Sequence, residues 1–341
     1  MTERAGTLAP EPLESRGLAD CVVVVTPRSF GAHEAGLRDE LERSVHEVRY
    51  YPGPLTAVEL AGAVADADGL LAGLDDVNAD VFEHASRLRV VARYGVGADR
   101  VDLEAATRHG VTVTITPGAN ANAVAEMTIA LLFAAARRLV SAHDRVNRGE
   151  WPTVKGGEVS GRVLGLIGLG RIGSLVAVKA RALGLGVIAY DPFVATEQAS
   201  ACGATLVDLE TLAAEADFLS LHAPLTDETR GIVGRRLVER LKPGAVLVNT
   251  ARGELVDEEA LLWGLDQGPL AAAALDVLAV EPPPPGHPLL GRQDVLVTPH
   301  MAAHSPEAET AMGRAALDEL LAVLSGREPR FPVVPTARSG A

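Results

Sequence analysis

The residues that could do chemistry together begin with Gly168, Gly170 and Gly173, a G-x-G-x-x-G run that follows the apolar stretch Val163 to Ile167. A helical segment, Ser174 to Leu183, comes next, then a second apolar run, Val187 to Tyr190, ending in Asp191. In a strand–turn–helix of this kind, the first glycine makes the tight turn. The second lets the backbone approach a pyrophosphate, and the third lets the helix pack on the strand. The helix N-terminus adds unpaired N–H groups and a partial positive charge. Asp191 lies 18 residues past Gly173, where a carboxylate can accept from the ribose hydroxyls and would repel a 2′-phosphate. The pattern therefore predicts a dinucleotide site that takes NAD in preference to NADP.

Further polar residues stand where later strands should end: His222 after DFLSL, Thr250-Ala251-Arg252 after AVLVN, Asp276 after AAAAL and His300 after VLVTP. Ligands of an open parallel sheet bind beyond these carboxyl ends. Hydride transfer between nicotinamide and a 2-hydroxy acid needs a bidentate cation for the carboxylate, and the planar, permanently charged Arg252 suits this. It also needs a group that titrates near neutrality to exchange the hydroxyl proton, for which His300 is the candidate. Glu281, in the proline-rich turn AVEPPP, is the carboxylate that would orient the histidine and favour its protonated form. His304 reads as a loop residue.

These residues need a scaffold. From Cys21 onward, apolar strands alternate with helical stretches. Strands are expected at 21–25, 45–50, 69–72, 88–94 and 111–115, with helices near 34–43, 56–66, 79–86 and 103–109. After the glycine motif, strands are expected at 204–207, 217–222, 245–250, 271–275 and 294–298. The fold class is α/β, with two β/α domains built on parallel sheets. Ala121 to Leu139 reads as one long helix leading into the second domain, and Pro306 to Leu324 as a C-terminal helix that returns to the first. The expected boundaries are a flexible tail at 1–19, a discontinuous first domain at 20–118 plus 305–341, and a dinucleotide domain at 119–304. The Pro-rich stretch after Arg327 reads as irregular.

The net charge of −14 argues against nucleic acid or an anionic membrane as a partner. The two cysteines are far apart and in no ligand spacing, so neither a disulfide framework nor a metal site is suggested. The N-terminus lacks the apolar segment of a signal peptide, and no apolar run approaches membrane-spanning length. A cytoplasmic protein is expected.

From about Val22 to Leu324 the chain resembles the D-isomer-specific 2-hydroxyacid dehydrogenases, most closely their phosphoglycerate dehydrogenase-like branch. The segments that carry the resemblance are RYGVGADRVDLEAATRHGV, NAVAEMTIALLFAAAR, GLIGLGRIG, LHAPLTDETRGIV, LKPGAVLVNTARGELVDEEAL, ALDVLAVEPPP and TPHMAAHS. The resemblance implies a flavodoxin-like substrate domain and a Rossmann NAD-binding domain separated by a cleft. It places the catalytic trio on Arg252, Glu281 and His300. The cofactor contacts it implies are Arg171 and Ile172 at the pyrophosphate, Asp191 at the ribose, and His222, Ala223, Thr250, Ala251 and Asp276, the last near the nicotinamide amide. It places the substrate carboxylate on the backbone of Gly95-Val96-Gly97, with Asn120 near that loop. It further implies a homodimer formed through the cofactor domain, and, with the chain ending at residue 341, no serine-responsive extension.

The sequence departs from phosphoglycerate dehydrogenases after the third strand. They commonly carry Arg-Ser there, and this chain reads Ala72-Gly73-Leu74-Asp75-Asp76. One lost charge-assisted bond to a phosphate is worth about 1.5–3 kcal/mol. Arg93 remains as a possible phosphate contact. The expected activity is hydride transfer with a small D-2-hydroxy or 2-oxo acid, of phosphoglycerate dehydrogenase or hydroxypyruvate/glyoxylate reductase type. The alternative is an NAD(H)-binding, corepressor-like dimer with little turnover.

Overall fold

A computed structural model describes residues 17–333. The chain divides into two units, Met1–Ala119 with Glu309–Ala341, and Asn120–Ala308. Most of the flexible tail expected at 1–19, and the last eight residues, lie outside the described part.

The first unit is built on β1 (Val22–Val25), β2 (Glu47–Tyr50), β3 (Gly69–Ala72), β4 (Val90–Arg93) and β5 (Thr112–Thr114). β1, β3 and β4 are buried along their whole length, because helices cover both faces of the sheet. The second unit contains β6 (Val163–Ile167), β7 (Gly186–Tyr190), β8 (Thr205–Leu206), β9 (Phe218–Leu221), β10 (Ala245–Asn249), β11 (Leu270–Leu275) and β12 (Val295–Val297). A final strand, β13 (Pro332–Val333), belongs to the first unit. The stretch after Arg327, expected to be irregular, thus contributes a short strand: Pro332 and Val333 pair antiparallel with Thr114 and Val113 of β5.

The strand order of the first sheet is β13-β5-β4-β3-β1-β2, and that of the second is β12-β11-β10-β9-β6-β7-β8. All pairs except β13–β5 are parallel. The first order is flavodoxin-like and the second is that of a dinucleotide-binding doubly wound sheet with one added strand. In the second sheet the order reverses between β6 and β9, which opens a crevice beyond their carboxyl ends. The glycine run leaves β6 at that point. Two apolar clusters cover the faces of this sheet, one around Leu164, Leu166 and Ala177, the other around Leu212, Leu219 and Leu247.

The long helix expected over 121–139 ends earlier. It spans Ala121–Ala136, and a separate helix runs over Leu139–Asn147, with Arg138 between them in the left-handed region at φ 52°. The break has a physical cause. The backbone N–H of Gly157 donates to the carbonyl of Ala136 at 2.9 Å, and a Cβ on Gly156 would stand 2.7 Å from that oxygen. The returning chain thus occupies the position that the next helical turn would need. The first helix buries Val124, Ala125, Thr128, Leu131, Leu132 and Ala135, a 3–4 spacing that fixes one face on the sheet.

Gly165, in the middle of β6, is a close-approach glycine. A Cβ there would lie 2.9 Å from Ala216 Cβ and 3.1 Å from Leu212 Cδ2. Gly165→Val should cost roughly 1–3 kcal/mol by overpacking. A denaturant midpoint equal to that of the wild type would contradict this packing.

Candidate active site

The cofactor end of the second unit is shaped by the three glycines. Gly168 has φ +94°, and a Cβ on it would lie 2.6 Å from the backbone N of Ala223 and from the carbonyl carbon of His222. On Gly173 a Cβ would lie 2.3 Å from the Gly168 oxygen. On Gly170 it would meet nothing within 4 Å. Gly168 and Gly173 are therefore fixed by packing, while Gly170 keeps an open face where a phosphate can reach the backbone. Gly170 caps the helix Arg171–Ala182, and no side chain satisfies the first N–H groups there. Those of Arg171 and Ile172 suit a pyrophosphate.

Asp191 stands at the carboxyl end of β7. One of its oxygens accepts from the N–H of Leu169 at 2.8 Å, the other from the N–H of Phe193 at 3.0 Å. The carboxylate thus holds the middle of the glycine turn and keeps lone pairs for ribose hydroxyls. These residues fit a dinucleotide.

His222 follows β9. Its backbone N–H donates to Ile167 at 2.7 Å, and its Nε2 lies 2.9 Å from Ser220 Oγ. Desolvation pushes the imidazole down to about 3, so the ring is neutral at physiological pH. Thr250 follows β10, and its hydroxyl meets that of Thr128 at 2.8 Å. Thr128 also donates to the carbonyl of Val124 at 2.8 Å, which makes Thr250 the donor of the pair. Thr128, which the sequence reading missed, ties the strand end to the helix Ala121–Ala136.

The proposed catalytic side chains come from three adjacent strand ends. Asn249, the last residue of β10, bonds across its own turn: Nδ2 donates to the Arg252 carbonyl at 2.8 Å and Oδ1 accepts from Ala251 N–H at 3.0 Å. Arg252 Nη1 donates to the Ala251 carbonyl at 2.6 Å. Gly253 follows, and a Cβ on it would stand 2.0 Å from the carbonyl carbon of Leu278. The backbone after Arg252 is therefore packed directly on the loop that leads to Glu281. Glu281 Oε1 accepts from Leu278 N–H at 3.1 Å, and Oε2 accepts from His300 Nδ1 at 2.8 Å. With Nδ1 donating to the carboxylate, Nε2 is the nitrogen left for a reacting oxygen.

His300 sits at φ 52°. Its N–H donates to the Asp276 carbonyl at 2.8 Å. The Asp276 carboxylate, 1% exposed, accepts from Thr298 Oγ1 at 2.5 Å, Met301 N–H at 2.9 Å and Ala302 N–H at 2.8 Å. Asp276 thus anchors the histidine loop, a role beyond the cofactor contact that the resemblance implies. Asn120 precedes the helix Ala121–Ala136; it is 9% exposed, and its Oδ1 has no hydrogen-bond partner.

In the first unit, the Gly95-Val96-Gly97 loop leaves the carboxyl end of β4. The Gly95 carbonyl accepts from Thr116 N–H at 2.9 Å. Arg93 is 4% exposed; its Nε donates to the Gly97 carbonyl at 3.1 Å and its Nη1 lies 3.4 Å from the Ala72 carbonyl. The residue noted as a possible phosphate contact is thus buried and bonded to its own loop. Asp75 is fully buried and accepts from Thr26 Oγ1, from Gly73 N–H at 3.0 Å and from Leu55 N–H at 2.8 Å. Asp76 pairs with Arg100 at 3.1 Å. Among the described residues, no cluster of His, Cys, Asp and Glu could hold a metal ion, and no helix is long and apolar enough to cross a membrane.

A doubly wound sheet with a phosphate-accepting glycine turn, an acid at the next strand end and a paired His–Glu beside an arginine defines a nicotinamide-dinucleotide-binding protein. Comparison with known proteins narrows the class. Residues 129–302 match the model of the D-isomer specific 2-hydroxyacid dehydrogenase NAD binding domain. The chain is 43% identical over 298 residues to a D-3-phosphoglycerate dehydrogenase of Methanocaldococcus jannaschii, covering 86% of this chain and 56% of that one. It is 42% identical over 273 residues to a glyoxylate reductase of Korarchaeum cryptofilum, covering 78% and 82%. A solved structure, TT0316 from Thermus thermophilus, superposes with a TM-score of 0.83 at 41% identity, covering 92% of this chain and all of that one. The chain spans about half the length of the D-3-phosphoglycerate dehydrogenases it matches. It belongs to the D-isomer specific 2-hydroxyacid dehydrogenase family.

The depressed imidazole of His222 has a consequence for stability. A histidine kept neutral in the fold contributes fully above its unfolded value of 6.5, and that contribution is lost as pH falls from there toward 3. His222→Gln should remove this slope, which is at most about 1.4 kcal/mol per pH unit. Unfolding free energies of both forms at pH 7 and pH 5 test it. Equal losses in the two would show that the ring is not held neutral.

Proposed function

We propose that this chain is an NAD-dependent dehydrogenase that interconverts a small D-2-hydroxy acid and its 2-oxo acid. The observation that carries the reading is the 2.8 Å contact between Glu281 and His300 Nδ1, beside the loop that bears Arg252. Bound NAD would accept or deliver the hydride at the substrate carbon. The chain's own residues do the rest. The Arg252 guanidinium binds the substrate carboxylate and orients its carbonyl. In reduction, His300 Nε2 gives a proton to the oxygen that becomes the hydroxyl; in oxidation the same nitrogen takes it back. Glu281 fixes the orientation of the ring and the tautomer that leaves Nε2 facing the substrate. The unpartnered Asn120 oxygen is ready to accept from a bound group.

The substrate we favour is unphosphorylated, of the glyoxylate or hydroxypyruvate type. The loop after β3 offers Gly73 and Leu74 where phosphoglycerate dehydrogenases commonly carry Arg-Ser, and Arg93 is bonded into its own loop. The relatives it resembles are named as dehydrogenases and reductases, which adds nothing to a binding module without turnover. We further propose a cytoplasmic homodimer. Cys21 and Cys202 form no disulfide, as a reducing compartment would leave them. The helix Leu139–Asn147 buries none of its residues within the chain and exposes Leu139, Val140 and Val146, with Trp151 just beyond. A second copy of the chain would cover them.

Oxidation of NADH should be fastest with glyoxylate or hydroxypyruvate and at least about tenfold slower in kcat/KM with phosphohydroxypyruvate. The reverse preference would remove the unphosphorylated reading. His300→Ala should lower kcat by roughly 10²- to 10⁴-fold, with the NADH dissociation constant little changed. Retained turnover would deny His300 its role. Light scattering should give twice the chain mass, reduced by Val140→Asp; a monomeric wild type would remove the dimer.

A further inference from the structure

Behind the proposed catalytic loop lies a polar pair that the reaction does not use directly. Glu258 opens the helix Glu258–Asp266, six residues after Arg252, and Asp257 caps that helix by accepting from Ala260 N–H at 3.0 Å. His287 lies at the far end of the loop that carries Glu281, and its side chain is only 7% exposed. Glu258 reaches this loop twice. Its Oε1 lies 3.4 Å from the N–H of Ala279, and its Oε2 lies 3.2 Å from His287 Nε2. His287 Nδ1 faces the N–H of Leu289 at 3.4 Å, so Nδ1 is the acceptor and Nε2 carries the proton toward Glu258.

We propose that Glu258 and His287 form a clamp that positions Glu281, and through it His300, against the turn that bears Arg252. The two contacts bracket Glu281, one before it and one after it. Apolar packing holds the loop only at Leu278 and Leu289, which are buried in the core; between them Ala279, Val280, Pro282 and the stretch 284–286 are exposed, and a further restraint is needed there. Close contact between the two loops is made by the backbone of Gly253 against Leu278 and Ala279, which sets their spacing but does not stop the rest of the loop from moving. The carboxylate supplies that restraint. One oxygen grips the loop at Ala279 and the other at His287, so both ends are tied to the first turn of a helix that begins six residues after Arg252. Glu258 and His287 touch no reacting atom; they are positioning residues.

This inference rests on the proposed reaction, and its test separates the two. Glu258→Ala removes both grips, His287→Ala removes one, and Glu258→Gln keeps the size and one acceptor oxygen. Two quantities are read on the full chain: steady-state kinetics with NADH and the best 2-oxo acid, and backbone hydrogen exchange over 277–289. Glu258→Ala is expected to lower kcat by roughly 10- to 100-fold, the scale of a small misplacement of a catalytic group, with KM and the NADH dissociation constant within about threefold. Glu258→Gln should recover part of that loss. The double variant Glu258→Ala/His287→Ala should be no slower than Glu258→Ala, because the pair acts as one device. Exchange over 277–289 should rise in both alanine variants. Unchanged kcat per folded molecule in Glu258→Ala overturns the clamp, as does a loss of kcat with exchange unchanged. If Glu258→Ala does not fold, Glu258→Gln and His287→Ala are judged by the same criteria. A wild-type chain that turns over no 2-oxo acid sinks the proposed reaction instead, and exchange alone then decides whether the pair holds the loop.

Discussion

Asp276 is 1% exposed, and a carboxylate at that depth costs heavily unless its lone pairs are filled. Here they are filled from one direction: the Thr298 hydroxyl and the N–H groups of Met301 and Ala302 all come from the segment that carries His300. The backbone N–H of His300 adds a bond to the Asp276 carbonyl. To place two successive amides on one carboxylate, the chain must turn sharply, and it does so by putting His300 at φ 52°. Left-handed backbone is unfavourable for a residue with a Cβ, and it persists where surrounding bonds over-determine it. The bonds at Asp276 do so here. They aim the imidazole at Glu281, and the 2.8 Å contact with Nδ1 then decides which nitrogen faces outward. The proposed acid–base chemistry therefore depends on a buried acid that need not touch the reacting atoms.

The same construction recurs at the cofactor end. Asp191 is read as a ribose ligand, yet one of its oxygens holds Leu169, the middle residue of the glycine turn. A carboxylate that has shaped a loop keeps spare lone pairs on the same oxygens, so anchoring and ligand binding do not exclude each other. Asn249 follows this logic with a neutral group, its amide donating and accepting within the Arg252 turn. Each strand end thus has its own polar anchor, and the sheet sets the spacing between anchors. The parallel register of β10 with β11, and of β11 with β12, brings three turns side by side although their residues are far apart in sequence.

Much of this was legible in the sequence because parallel α/β units repeat a strong local signal. Apolar runs such as CVVVV, VLGLI and AVLVN are short and rich in β-branched residues, which favours a strand buried on both faces, and the strands β1, β6 and β10 lie on them. The glycine run was legible because each glycine answers a separate steric demand. The break at Arg138 was not, since nothing in FAAARRLVSAH opposes a helix locally; it is imposed by Gly156 and Gly157, which return to the helix end from well down the chain. At the site, Arg252, Glu281 and His300 stood out as charged or titrating residues next to apolar strands. Thr128, Glu258 and His287 did not. A threonine on a buried helix face, a glutamate in a helical first turn and a histidine among prolines each have ordinary explanations, and only three-dimensional proximity gives them others.

Charge in the sequence proved a poor guide to charge available at a surface. By sequence alone, the stretch after β3 replaces a cation with two acids, which would repel an anionic substrate. In the structure, Asp75 is turned inward onto Thr26, Gly73 and Leu55, and Asp76 is paired with Arg100. The charge of Asp76 is offset by Arg100, and the Asp75 carboxylate is turned inward onto neutral donors rather than out toward a ligand. Arg93 shows the converse. It is a full cation two residues before Gly95, yet its guanidinium is bonded to the carbonyls of Gly97 and Ala72. A buried guanidinium with its donors on carbonyls acts as a brace, and withdrawing it to reach a phosphate would break its bond to the Gly97 carbonyl, while the Ala72 carbonyl would keep the N–H of Tyr94 at 2.9 Å. The case against a phosphorylated substrate therefore rests less on repulsion by Asp75 and Asp76 than on a missing arginine and on the fixed duties of the one that remains.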